Sequence, residues 1–115
     1  MYLYRPVGTA ELNLIAESDY HQFPPRLPEQ PIFYPVLNEE YAVEIASRWN
    51  TKQQDKKGYV TKFFVDDDYV RQFEVHTVGK GYHQELWIPA DKLGNFNQHI
   101  IGKIEIIQEF SGASA

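Results

Sequence analysis

The sequence predicts an α+β fold, and three observations carry that prediction. Short apolar runs of strand length recur at 2–6, 32–37, 59–65, 73–78, 82–88 and 100–110. Two other stretches, 10–17 and 39–49, carry their apolar residues at helical spacing. The two kinds are interspersed, and the last three runs lie close enough for antiparallel pairing, so helices do not alternate regularly with parallel strands. At 115 residues the chain suits one domain with one core, spanning 1–115.

Tyr2-Leu3-Tyr4-Arg5-Pro6 reads as the first strand. Thr9 is placed to cap a helix over 10–17, with Leu12, Ile15 and Ala16 on one face. Residues 19–31 contain Pro24, Pro25, Pro28 and Pro31. Proline removes backbone donors and blocks helix, so a stiff irregular loop is expected, anchored by Phe23 and Leu27. Ile32 to Leu37 reads as a strand, with Pro35 favouring an edge or a bulge. Asn38 caps a helix over 39–49 whose first turn holds Glu39 and Glu40, as the helix dipole favours. Tyr41, Ala42, Ile45, Ala46 and Trp49 form its apolar face. The polar stretch 50–58 reads as a mobile loop able to close over a site. Tyr59 to Val65 is a strand, and Asp66-Asp67-Asp68 starts a helical turn over 67–72. The strand 73–78 puts Phe73, Val75 and Thr77 on one face and Glu74, His76 and Val78 on the other. Gly79 and Gly81 turn the chain into the strand 82–88. Pro89 suits the first turn of a helix over 89–97, and 100–110 is the last strand, with Ile101, Ile104, Ile106 and Ile107.

Composition excludes several classes of function. A net charge of -5 argues against a nucleic-acid partner, because phosphate binding needs clustered Lys and Arg. The one basic cluster is Lys52, Lys56 and Lys57. The absence of cysteine excludes disulfides and thiolate chemistry. No apolar run approaches the roughly 20 residues that span a bilayer, and Arg5 and Pro6 stand where a signal peptide would be apolar. No membrane partner and a cytoplasmic location are therefore expected. Asp66-Asp67-Asp68 lacks the glycine and distal glutamate of a calcium loop, and His76 with His83 is too few ligands for zinc, so no metal is expected. There is no phosphate loop, dinucleotide fingerprint or nucleophile elbow.

The candidate site begins at His83-Gln84-Glu85-Leu86-Trp87-Ile88-Pro89. Glu85 is a carboxylate in an apolar strand, where a charge is paired or faces a cleft. Arg5 in the first strand is its candidate partner, either as a plain ion pair between strands or as the other half of a ligand site. Aromatic residues make up 15% of the chain, and Tyr34 and Tyr41 can serve as core aromatics or stack on a planar ligand. His83 is either a hairpin surface residue or a proton carrier. Arg26, in the proline-rich loop, can be offered to an anion or to a protein partner through loop 23–31.

Three segments also carry a family resemblance. Leu3-Tyr4-Arg5 opens the chain, Phe33-Tyr34-Pro35-Val36-Leu37-Asn38 runs from a strand into a helix, and His83-Gln84-Glu85 lies on a late strand. In that order they resemble the ADP-ribosyltransferase family, and the whole chain is similar to short bacterial proteins named for ADP-ribosylation and crystallin. The resemblance implies a split sheet of mostly antiparallel strands with short helices. It implies NAD as the ligand and substrate, with Glu85 and His83 as catalytic residues and Arg5, Tyr34, Asn38 and Tyr41 as cofactor-binding ones. Tyr34, Leu37, Asn38 and Tyr41 stand where arginine-type members carry Ser-Thr-Ser and histidine-type members a tyrosine. The alternative is an inactive protein-interaction module on the same fold.

Overall fold

The computed structural model describes residues 1–48, 56–79 and 81–112. Their strands pair antiparallel throughout, in two small sheets. The first has the order β1 (Tyr2–Val7), β3 (Lys57–Val65), β6 (Ile100–Ser111). The second has the order β2 (Ile32–Phe33), β5 (Gln84–Pro89), β4 (Glu74–Thr77). The fold is thus α+β, with few and short helices.

The expected strand over 32–37 is broken. Only Ile32 and Phe33 form β2, and Pro35 has no N–H to continue a ladder. The chain then bends so that Val36 bridges both sheets, opposite Tyr4 on one side and Glu85 on the other. Tyr4 donates to the Val36 carbonyl at 3.0 Å, and Val36 donates back at 2.7 Å. Leu37 donates to Gln84 at 3.0 Å, and Leu86 donates to the Pro35 carbonyl at 2.9 Å. One short segment therefore joins the two sheets.

The last strand also departs from expectation. It pairs with β3 rather than with the 82–88 strand. β5 already has β2 on one edge and β4 on the other, whereas β3 has an edge free beside β1 and offers nine residues. A 3₁₀ turn (Ala90–Lys92) and α4 (Leu93–Gln98) carry the chain across between sheets. Pro89 consequently ends β5 instead of opening a helix. Gly102 has φ +82°, within the stretch where the β3–β6 register shifts between Lys62 and Phe64. That left-handed conformation belongs to a bulge, which lets the long strand bend.

The helices follow their apolar faces. α1 (Thr9–Glu17) buries Ile15, but Gly8 occupies the cap position instead of Thr9, whose hydroxyl bonds that of Tyr59 at 3.5 Å. α2 (Glu39–Arg48) buries Tyr41, Ala42 and Ala46. Asn38 caps it as expected, its Oδ1 accepting from the Tyr41 N–H at 2.8 Å. α3 (Asp67–Val70) is a single turn, shorter than expected. β3 begins at Lys57, so Gly58 is a strand residue; residues 50–55 of the expected loop, and Trp49, lie outside the described residues.

Two cores result. Leu3, Val7, Ile15, Phe23, Phe33, Phe63, Ile88 and Phe96 fill the larger one. Val36, Tyr41, Ala42, Ala46 and Val60 fill the smaller one, under α2. Phe23 fastens the proline-rich loop, its ring 4.8 Å from that of Phe63. Its backbone is gripped at both ends by Asn97, which accepts from the N–H at 2.9 Å and donates to the carbonyl at 3.0 Å. Leu27 is exposed and does not anchor the loop.

Candidate functional site

Strand alternation sends Leu86 and Ile88 into the larger core and leaves Glu85 and Trp87 on the other face of β5. Glu85 is only 8% exposed. Both of its oxygens have donors. The Tyr41 hydroxyl, from α2, donates to Oε2 at 2.7 Å, and the Trp87 indole N–H donates to Oε1 at 3.0 Å. A buried carboxylate persists when its lone pairs are met in this way. Burial, then the bond to Glu85, push the Tyr41 hydroxyl well above the ordinary tyrosine range.

The network continues through rings. Tyr41 stacks on His83, with centroids 4.4 Å apart and planes 20° from parallel. His83 Nε2 is 2.7 Å from Glu44 Oε2, and the Tyr82 hydroxyl donates to Glu44 Oε1. The Tyr82 bond, followed by that to His83, holds the Glu44 carboxyl below its usual value against the opposing effect of burial. The same bond raises Tyr82. On the far side, His76 stacks on Trp87 at 3.8 Å and its Nε2 is 3.0 Å from Glu74. Gly79 leaves room for His83: a Cβ there would stand 2.6 Å from its Nδ1.

The chain matches no family model, no curated protein and no solved structure.

Of the expected site residues, Glu85, Tyr41 and His83 come together. Asn38 joins them indirectly, because its Nδ2 donates to the Tyr82 carbonyl while its Oδ1 caps α2. Arg5 does not join them. Tyr4, Val36 and Glu85 align across the strands, so Arg5, next in sequence to Tyr4, is directed to the opposite face. There its guanidinium lies over the Phe33 ring, 4.7 Å from the centroid, and pairs with Glu11 of α1. Nε donates to Oε2 at 2.6 Å and Nη2 to Oε1 at 3.0 Å. The strand-to-strand ion pair with Glu85 is therefore replaced by a bidentate pair with a helix residue. Tyr34, two residues before Val36, is half-exposed.

Two clefts flank the network. One of about 270 Å³ lies beside Trp87, with Ile32, Phe73, Glu74 and Lys92 among its walls. One of about 560 Å³ lies beside Glu44 and Tyr82 and is walled also by Glu39 and Glu40. The second is acidic and repels phosphates. Among the described residues, no group of three or more His, Asp or Glu is arranged to hold a metal, and no helix is long and apolar enough to cross a membrane.

Sequence reasoning missed Glu11, Glu44, Tyr82 and Trp87. Trp87 was within reach, since residues two apart share a strand face. Glu44 was too, since it follows Tyr41 by three residues in a helix. Nothing local marks Glu11 as the partner of Arg5, because that pairing depends on how α1 packs.

Proposed function

We propose that this protein is an ADP-ribosyltransferase-like domain that binds NAD or an ADP-ribose-related ligand where β1, the Val36 segment and β5 meet. The observation that carries this reading is the buried Tyr41–Glu85 hydrogen bond, which sets a helix tyrosine against a late-strand carboxylate beside the join of two sheets. A carboxylate so placed can stabilise the positive charge that develops on a ribose as its glycosidic bond breaks. Tyr41 or Tyr34 would stack on the nicotinamide ring, Asn38 would keep α2 in register, and His83 would face the acceptor. The acidic wall at Glu39, Glu40 and Glu44 keeps the phosphates away from α2. Isothermal titration with NAD tests the reading: binding is expected in the wild type and lost in Glu85→Gln. Absence of heat at millimolar NAD, or binding unaltered from wild type in both Glu85→Gln and Arg5→Ala, would overturn it.

One observation favours the alternative of an inactive interaction module. Both oxygens of Glu85 and two nitrogens of Arg5 are already bonded within the protein. A ligand must displace those partners, whereas loop 23–31 offers its exposed Leu27 at no such cost. Recovery of one partner from a bacterial host only when loop 23–31 is intact, together with silence toward NAD, would support this second reading.

A further inference from the structure

β4 ends its sheet, and its outer edge is open. The Val78 N–H donates to the His83 carbonyl at 2.9 Å, while Glu74 lies opposite Trp87 and His76 opposite Glu85. In an antiparallel ladder the backbone groups of Glu74 and His76 therefore turn toward β5, and those of Val75 and Thr77 turn away from it. The centre strand agrees: Leu86, opposite Val75, donates away from β4 to the Pro35 carbonyl at 2.9 Å. Among the described residues, no strand pairs with that outer edge. The long edge of β6 is guarded instead. There the Ile104 N–H is taken by the Tyr20 carbonyl at 2.7 Å and the strand bends at Gly102, two devices that keep an edge from pairing. The β4–β5 register carries no such bulge.

The same strand borders an apolar hollow. A pocket of about 600 Å³ has the buried Val70, Phe73 and Leu86 in its walls. Val75 lines it too, and is 49% exposed. One residue thus belongs both to the open edge and to the pocket. A strand laid beside β4 would carry the side chain opposite Val75 to the pocket, and its alternate side chains to the face of Glu74 and His76. The charges near that edge are unequal. Asp67 is met by the Met1 amine and Asp68 by Arg71, whereas Glu74 has only His76, 3.0 Å from its Oε2.

We propose that the outer edge of β4 takes an extended segment of a partner protein as an added strand, with an aliphatic residue flanked by lysine or arginine. Backbone groups that repeat two residues apart, at Val75 and Thr77, match an extended chain, and their N–H and C=O groups supply the main-chain bonds. The aliphatic side chain opposite Val75 enters the pocket and covers Phe73 and Leu86. The neighbouring basic residue lies across from Glu74 and supplies the missing counter-charge. The surface uses neither Glu85 nor Tyr41, so it stands whether or not the chain takes NAD.

The test titrates the full chain with an acetylated, amidated peptide Thr-Lys-Val-Lys-Leu-Lys-Thr and follows backbone amides by NMR. The Val75 and Thr77 signals are expected to move, and their hydrogen exchange to slow. N-methylation of the peptide's Val and Leu, or their replacement by Ser, should each weaken binding by about tenfold or more. A peptide with Glu in place of Lys should bind more weakly than the parent. Val75→Pro removes one outward N–H, which an edge strand tolerates, and should also weaken binding by about tenfold. Val75→Lys puts a charge at the mouth of the pocket and is expected to do the same at an unchanged Tm, so the test survives if the proline variant fails to fold. The proposal is overturned if Val75 and Thr77 do not respond at millimolar peptide, or if the N-methylated or serine peptide binds as the parent does. Equal binding by the glutamate peptide would overturn the basic character of the partner. Protection of Val75 and Thr77 that grows with protein concentration alone would assign the edge to a second copy of this chain and overturn the proposal. No arm contains NAD, so failure here and failure of the NAD titration are read separately.

Discussion

Tyr41→Phe deletes one oxygen from the smaller core and keeps the ring that stacks on His83. Glu85 Oε2 loses its donor at 2.7 Å, and only the Trp87 bond at 3.0 Å to the other oxygen survives. A hydrogen bond to a charged group contributes about 1.5–3 kcal/mol. Glu85 is 8% exposed, so water replaces the lost donor poorly, and the upper part of that range, about 2–3 kcal/mol, is expected. For a chain of this length each kcal/mol moves Tm by roughly 4 °C, giving a fall of roughly 8–12 °C in thermal unfolding at neutral pH. A second signature comes from ionisation. The hydroxyl of Tyr41 is raised in the folded state above the ordinary value of about 10. The folded chain therefore holds that proton more tightly than the unfolded chain, and the stability linked to it is full below about pH 10 and lost as pH rises further. Tyr69 and Tyr82 are also raised, but they titrate in both proteins. The gap between wild type and Tyr41→Phe should thus narrow above about pH 10. A Tm within about 2 °C of wild type, or a gap that stays constant on the alkaline side, would refute the account of a buried carboxylate held by this hydroxyl.

Other perturbations probe the rest of the site. Glu11→Gln leaves the buried Arg5 without its counter-charge; since Glu11 is partly exposed, a loss of about 3 kcal/mol is expected in urea unfolding. Glu44 is held below its ordinary value of about 4.3, so its contribution is present above that pH and fades as acid protonates it; Glu44→Gln should flatten this part of the acid unfolding curve, and an unchanged curve would count against the Tyr82–Glu44 bond. Gly102→Ala meets no neighbour but imposes a side chain on φ +82°, so a cost of about 1 kcal/mol without loss of NAD binding is expected from equilibrium unfolding.

The α+β class was legible because its signals are local. Alternation marked β1, β4 and β5 to within a residue or two, and the helical spacing at Tyr41, Ala42 and Ala46 marked α2 together with the cap at Asn38. Where local chemistry competed with pairing, the expectation slipped. Thr9 is a good capping residue, but its hydroxyl is turned to Tyr59. Pro89 is a good first residue for a helix, but it pairs with Ile32 as the last residue of β5. The 100–110 strand carries nothing that names its partner, and the sheet order decides it, since β5 is flanked on both edges and β3 is not.

The amino-acid order alone determined that Glu85 would be an uncommon charge in a strand and that Tyr41 would lie on a buried helix face, since alternation and helical period are properties of neighbouring residues. Tertiary structure alone decided that these two would bond each other, that Arg5 would turn away to Glu11, and that Arg26 Nε would be buried without a hydrogen-bond partner among the described residues. Those outcomes depend on which face each strand presents once Val36 has joined the two sheets, and a face is assigned by register across the sheet, not by the spacing of residues along it.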